Sequence, residues 1–162
     1  MSSFDAGVDT GARIFAFMTA ASQVLGAEGE RVAAAWLAQR GWQILERRFR
    51  NGHRDLDLVA ERSGVVAFIE VKTRRGKEFG HPVEAVNWRK QRELTRSAAV
   101  WIARYGGQEQ LFRFDVVCVL MDGYRVRIRH VVTAFSSNPG VCTQGGCVVV
   151  CSVCCIRYSR RV

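Results

Sequence analysis

Apolar residues return at helical spacing from Ala27 to Gln39, with Ala33, Ala34 and Leu37 on one stripe and Gly41 where a helix would stop. The pattern predicts a helix from Gly26 to just before Gly41. It then shortens to period two, and strands are predicted over Trp42 to Phe49, Asp55 to Ala60 and Val65 to Lys72. Glu61-Arg62-Ser63-Gly64 reads as the turn of a hairpin joining the last two. A glycine-bearing loop, Gly76 to Pro82, leads to a second helix predicted over Val83 to Tyr105. Val83, Val86, Leu94, Ala98, Trp101 and Tyr105 lie near one face of it, and Gly106-Gly107 ends it. Two more strands follow. Phe112 to Leu120 is apolar on both faces, as a central strand is. Tyr124 to Val132 alternates, with Tyr124, Val126 and Ile128 expected inward and Arg125, Arg127 and Arg129 outward.

Both ends differ in character. Residues 1–25 read as an N-terminal extension, either disordered or the product of a misassigned start, with Met18 as the alternative first residue. A secretory signal fits poorly, because Asp5 and Asp9 precede the lone Arg13. Residues 137–162 hold Asn138-Pro139-Gly140 and five of the six cysteines, and are expected to be a disordered tail. A zinc knuckle there is the competing reading. It is weakened because only Cys151 and Cys154 have a two-residue gap and no histidine lies in the tail. Residues 26–136 form the domain.

Composition narrows the function class. The chain has 162 residues, 48% hydrophobic and 24% charged, enough to bury a core without disulfides or metal. The longest apolar stretch, Ile14 to Ala21, is shorter than a bilayer span, so no membrane partner is expected. Twenty-four Lys and Arg against fifteen Asp and Glu give a net charge of +9, nearly all of the excess being arginine. That balance favours a polyanion, nucleic acid foremost. The arginines of Tyr124 to Val132 serve equally as edge protection or as a phosphate-contacting stripe.

The segment Asp55 to Lys72 carries the candidate chemistry. A two-residue turn at Ser63-Gly64 would set Asp57 opposite Glu70 and Asp55 opposite Lys72, with Cβ atoms about 4.5–5.5 Å apart. All four would share one face, and Leu56, Leu58, Ala60, Ala67, Ile69 and Val71 the other. Facing carboxylates repel, and a divalent cation held by Asp57 and Glu70 would remove the conflict. A plain solvated face, with Asp55 paired to Lys72, explains the spacing as well. Two further charges interrupt apolar stripes: Glu30 on the first helix and Lys90 on the second. The first could simply favour the helix's positive end, and the second could snorkel to the rim. Arg74 and Arg75 extend the strand beyond Lys72, within reach of a phosphate backbone.

Gly29-Glu30, Asp57, Glu70-Val71-Lys72-Thr73-Arg74, Val86 with Lys90, Arg113-Phe114-Asp115-Val116-Val117 and Ala134-Phe135 occur in the order found in the YraN-like family, which this sequence resembles from Gly26 to about Phe135. That family is a small bacterial branch of the restriction-endonuclease-like, PD-(D/E)xK nuclease superfamily, related to Holliday-junction resolvases. The resemblance implies an α/β fold with an αβββαβ core, a mixed sheet flanked by helices. It implies a cytoplasmic, Mg2+- or Mn2+-dependent endonuclease acting on DNA, including branched or single-stranded intermediates. Asp57 and Glu70 would be metal ligands with the Val71 carbonyl, Lys72 the active-site lysine, and Glu30 the helical carboxylate that supports the site. Arg74, Arg75, Lys90 and Arg54 are the candidate nucleic-acid contacts, Arg54 standing where the family usually has glycine. Arg48 replaces a common asparagine and is expected to add a phosphate contact, while the short Asp55 replaces a glutamate. A module that keeps the fold and binds nucleic acid without turnover is the alternative, and an adaptor working through the tail a weaker third. The oligomeric state stays open, a homodimer included.

Overall fold

The computed structural model describes residues 10–52, 54–76, 78, 86–107, 110–135, 142–143, 146–150 and 156–159. The elements run α1 (Thr10–Ala38), β1 (Gln43–Asn51), β2 (Arg54–Arg62), β3 (Val65–Arg75), α2 (Trp88–Tyr105), β4 (Leu111–Asp122) and β5 (Arg125–Phe135), then the short β6 (Cys142–Thr143), β7 (Gly146–Val150) and β8 (Ile156–Ser159). Strands β1, β2 and β3 form an antiparallel meander, β4 joins β3 in parallel, and β5 pairs antiparallel with β4. Because α2 is the crossover between the parallel strands, the αβββαβ order and mixed sheet expected from the sequence are present. The sheet continues past the N-terminal end of β4 through β8, β7 and β6.

Each face of the sheet is covered by one helix. On one side Ala33, Ala34 and Leu37 of α1 pack with Trp42, Leu58, Ala60, Ala67, Ile69, Val117 and Val119. On the other Leu94, Ala98, Trp101 and Ile102 of α2 pack with Val59, Val66, Phe68, Phe112, Phe114 and Val116. The charged outer face expected for the β2–β3 hairpin is therefore largely core. Leu56 also departs from its expected company: it packs with the α2 cluster, whereas Leu58, two residues on, packs with the α1 cluster. Regular alternation is thus broken between them, at Asp57.

Local chemistry sets several boundaries. Ser63 (φ 52°) and Gly64 (φ 77°) make a two-residue turn, and the ladder from Arg62–Val65 to Leu58–Ile69 keeps the register the turn predicts. Helix α1 begins at Thr10 rather than Gly26, because the Ala, Arg, Met, Gln and Leu residues upstream are as helix-compatible as the residues that follow. Helix α2 starts at Trp88, five residues later than expected. The Asn87 side chain accepts the Lys90 N–H at 2.9 Å, a cap that ends the preceding extended backbone there. Most of the predicted Gly76 to Pro82 loop, and Val83, lie outside the described residues. The set expected inward fails at its start: Tyr124, in the turn before β5, and Val126 are exposed, and of the three only Ile128 packs inward.

Strand β5 is tied to β4 by a buried charge cluster that sequence pattern did not predict. Asp115, 1% exposed, sits where the β4–β5 register shifts. Its Oδ2 accepts from Arg113 Nε (3.1 Å) and Nη2 (3.0 Å) and lies 2.8 Å from His130 Nε2 on β5. Trp36 and Trp42 meet the imidazole edge-on at 5.9 and 6.4 Å between centroids. Asp115→Ala would leave the Arg113 charge without its buried acceptor, so it should cost about 3 kcal/mol or more in urea denaturation. An Asp115→Ala protein as stable as wild type would show that the cluster contributes nothing.

Candidate active site at the parting of β2 and β3

Pairing of β2 with β3 stops at Leu58–Ile69, so the expected Asp57–Glu70 and Asp55–Lys72 ladder pairs do not form. Instead the Asp57 side chain turns into the gap, where its Oδ2 accepts the backbone N–H of Val71 at 2.7 Å. Glu70, 3% exposed, lies on the α2 side. Its Oε1 is 2.6 Å from Lys72 Nζ and its Oε2 is 3.3 Å from Lys90 Nζ, from the first turn of α2. Lys90 is thus neither snorkelling away from the core nor a remote contact: it reaches a buried carboxylate.

Burial first, and then the neighbouring charge of Glu70, push the Asp57 carboxyl up from its ordinary 3.8 to about 7; the Val71 N–H and Lys90 pull the other way, and Glu30 adds to the rise. Asp57, Glu70, Glu30 and Lys90 therefore sense one another across a single region, although they come from four elements.

Glu30 approaches from α1. Gly29 lets it do so, because a Cβ at that position would stand 1.7 Å from Thr73 Oγ1 on β3. Only a glycine allows the helix so near the strand. Arg48 then holds Glu30 through two bonds, Nε–Oε2 at 2.6 Å and Nη2–Oε1 at 3.1 Å. Arg48 reaches it from a left-handed backbone conformation, φ 52°, that side-chain-bearing residues adopt at a cost of about 1–3 kcal/mol. Arg48, expected to contact phosphate, is paired here with Glu30 on the wall of the cleft. Beside it opens a cleft of about 630 Å3, with Gln23, Glu30, Arg48, Arg50, Asp55 and Asp57 among its walls. Sequence reasoning missed Arg50 as a wall of that cleft and the anchoring role of Arg48; alternation along β1 was the available signal, and the left-handed residue breaks it.

Of the candidate nucleic-acid contacts, Arg74 and Arg75 are both exposed but fall on opposite faces. Arg74 lies beside Leu120, and Arg75 beside Met121, which packs on the α1 side. The Arg54 side chain lies outside the described residues, as do Cys151, Cys154 and Cys155 of the zinc-knuckle reading. Cys142 and Cys147 are register partners between β6 and β7. No helix among the described residues is long and apolar enough to cross a membrane.

A family model described as "Uncharacterised protein family UPF0102" matches residues 29–119. The chain belongs to this family, the YraN family of the resemblance above. The UPF0102 protein of Nocardia farcinica is 46% identical over 114 residues, covering 70% of this chain and 90% of its own length. Those of Symbiobacterium thermophilum and Alkaliphilus metalliredigens are 46% identical over 118 residues and 40% over 114, covering 98% and 99% of themselves and 70% of this chain in each case. The UPF0102 match opens at Gly29 and closes inside β4, so it spans Glu30, Asp57, Glu70, Lys72 and Lys90.

The raised Asp57 value gives a signed expectation in EDTA. Between pH 4 and 7 the folded protein keeps a proton that the unfolded chain has lost, so stability falls as pH rises across that window and levels off above it. Asp57→Asn retains an oxygen for Val71 N–H but carries no charge. At pH 8 it should therefore melt about 3 °C or more above wild type, roughly 1 kcal/mol for a chain of this size. At pH 4 the two should coincide. Equal melting temperatures at both pH values would mean that Asp57 is not held in a charge-averse site.

Proposed function

We propose that the protein is a divalent-cation-dependent nuclease that hydrolyses phosphodiester bonds in DNA. The observation that carries this reading is the meeting of two carboxylates, the half-buried Asp57 and the buried Glu70, at a strand gap with two lysines on Glu70.

The donor set fits Mg2+ or Mn2+. Hard oxygen ligands from Asp57 and Glu70, with the Val71 carbonyl as a third, are what such ions accept. Buried Glu70 Oε2 makes no hydrogen bond and meets only the Lys90 ammonium at 3.3 Å, which leaves it a lone pair for an ion, and the rise at Asp57 reflects charge that a cation would offset. Among the described residues no group of three or more His, Cys, Asp or Glu side chains gathers into a ready-made cluster, so waters and substrate oxygens would complete the shell. When bound, the ion would polarise the phosphoryl group and acidify a water.

The chain's own groups do the rest. Asp57 and Glu70 hold charge and geometry. Lys72, already within hydrogen-bonding distance of Glu70, is placed to donate to the phosphoryl oxygens as one P–O ester bond breaks and a P–O bond to water forms. Arg48 fixes Glu30, whose carboxylate bounds the cleft in which the strand would lie.

One observation favours the binding-module alternative: Glu70 and Glu30 are each engaged by cationic side chains, as they would be in a site that never turns over. Labelled linear, flapped and four-way DNA, and RNA, incubated with Mg2+, Mn2+ or EDTA, separates the two. Wild type should cut DNA only with the cation. Asp57→Ala and Glu70→Ala should lose at least about 100-fold in rate while binding DNA as well or better, since each removes a charge that repels phosphate. Lys72→Ala should lose turnover too. Metal-dependent product from no substrate would establish the binding module, and cleavage surviving in both carboxylate variants would remove these residues from the site.

A further inference from the structure

The ladder registers extend the active-site lysine into a longer feature. Lys72 of β3 is paired with Cys118 of β4, and Cys118 with Arg129 of β5. One step further along, Arg74 is paired with Leu120, and Leu120 with Arg127. Residues paired across a sheet point to the same side, and residues two apart along a strand share a face. Lys72, Arg74, Arg127 and Arg129 therefore stand on one face as two rows. The rows are about 6.7 Å apart along the strands, and their outer members about 10 Å apart across them. The middle positions are the buried Cys118 and Leu120, so each row has a cation at either side of a low apolar floor. Arg74, Arg127 and Arg129 are exposed, and Lys72 is partly so. Independent of the register, the Cys118 thiol is raised by its burial and opposed by Arg129, Arg74 and Lys72, so all three cations lie close to it.

This face begins at the carboxylates, because Lys72 is 2.6 Å from Glu70. It ends at β5, beyond the UPF0102 match at residues 29–119. Edge protection explains why β5 carries charge. It does not require the charges to align with those of β3 across an apolar floor.

We infer that the Lys72, Arg74, Arg129 and Arg127 face is a nucleic-acid track that holds the phosphates of one DNA strand leading away from the scissile position, with Arg127 and Arg129 as contacts in their own right. The strand's identity as the one being cut rests on the nuclease reading; the track itself is a binding claim. Arginine suits it, because the guanidinium presents a fork of donors to phosphate without reading base sequence.

Binding of a labelled single-stranded DNA oligonucleotide, measured by fluorescence anisotropy in EDTA over a salt series, tests the track without cleavage. The Arg127→Gln/Arg129→Gln protein should lose about 1.4 from the slope of log K against log salt, and roughly 25-fold in affinity at about 0.1 M salt. Arg74→Gln, on a separate strand, should lose about half that slope and roughly 5-fold. The Arg127→Lys/Arg129→Lys protein should recover most of the loss. Arg104→Gln, exposed on the last turn of α2 about 21 Å along the axis from Lys90, should bind as wild type. Wild-type slope and affinity in both the Gln pair and Arg74→Gln would overturn the track, even if the wild-type enzyme cleaves DNA. So would a Gln pair that self-associates in sedimentation while its monomer keeps the wild-type slope, which is the result edge protection predicts. A wild type that binds with the expected slopes but never cleaves would leave the track standing and remove the nuclease reading.

Discussion

Where β2 parts from β3, the N–H of Val71 has lost its ladder and must find another acceptor. Asp57 supplies one at 2.7 Å, and to do so its carboxylate enters a half-buried gap. A desolvated carboxylate beside a second one is unfavourable, and the carboxyl of Asp57 rises to about 7 as a result. The surroundings are arranged around that conflict: Lys72 and Lys90 lie against Glu70, and the Val71 N–H itself favours the charged form. A fold that needed only stability would fill the gap with apolar side chains, as the same strands do at Leu58 and Ile69. Retaining two acids there is costly unless something else uses them.

The scaffold holds this arrangement from both sides. On the α1 side, a glycine brings the helix onto Thr73, and a left-handed Arg48 grips Glu30, so the helical carboxylate is fixed by backbone contact and ion pair together. On the α2 side, the Asn87 cap fixes where the helix begins, and that places Lys90 in the first turn, against Glu70. Moving the helix start by one residue would rotate Lys90 by about 100° away from the carboxylate. Each of these devices sets position rather than supplying bulk stability.

Much of this was legible, and the limits are physical. The Ser63-Gly64 turn fixes register because a primed turn matches strand twist, so the pairs near it follow from sequence alone. Farther out the register fails, because a side chain can outcompete the backbone carbonyl for an N–H, and no periodicity records that choice. The same holds for Arg48: its positive φ turns β1 over, and nothing in Arg47-Arg48-Phe49 announces it. Asn87 caps α2, but the apolar Val83 and Val86 ahead of it continue the helical stripe, so the pattern runs through the stop. The Asp115–His130 contact joins residues fifteen apart on neighbouring strands, which only the tertiary register brings together.

Charge placement links these features. Asp57 and Glu70 at the gap, with Glu30 on the cleft beside them, would repel a polyanion, and a strand of DNA could approach them only if cations flank the path. They do so on both faces. Arg48 and Arg50 line the cleft on the α1 side, while Lys72, Arg74, Arg127 and Arg129 share the α2-side face beyond the edge of the helix. The net charge of +9 is thus not spread evenly in effect: part of it is concentrated beside the acids, where low-dielectric walls strengthen it. A phosphate drawn in by those cations would arrive beside Asp57 and Glu70, and the attraction would weaken with salt while the buried carboxylate contacts would not.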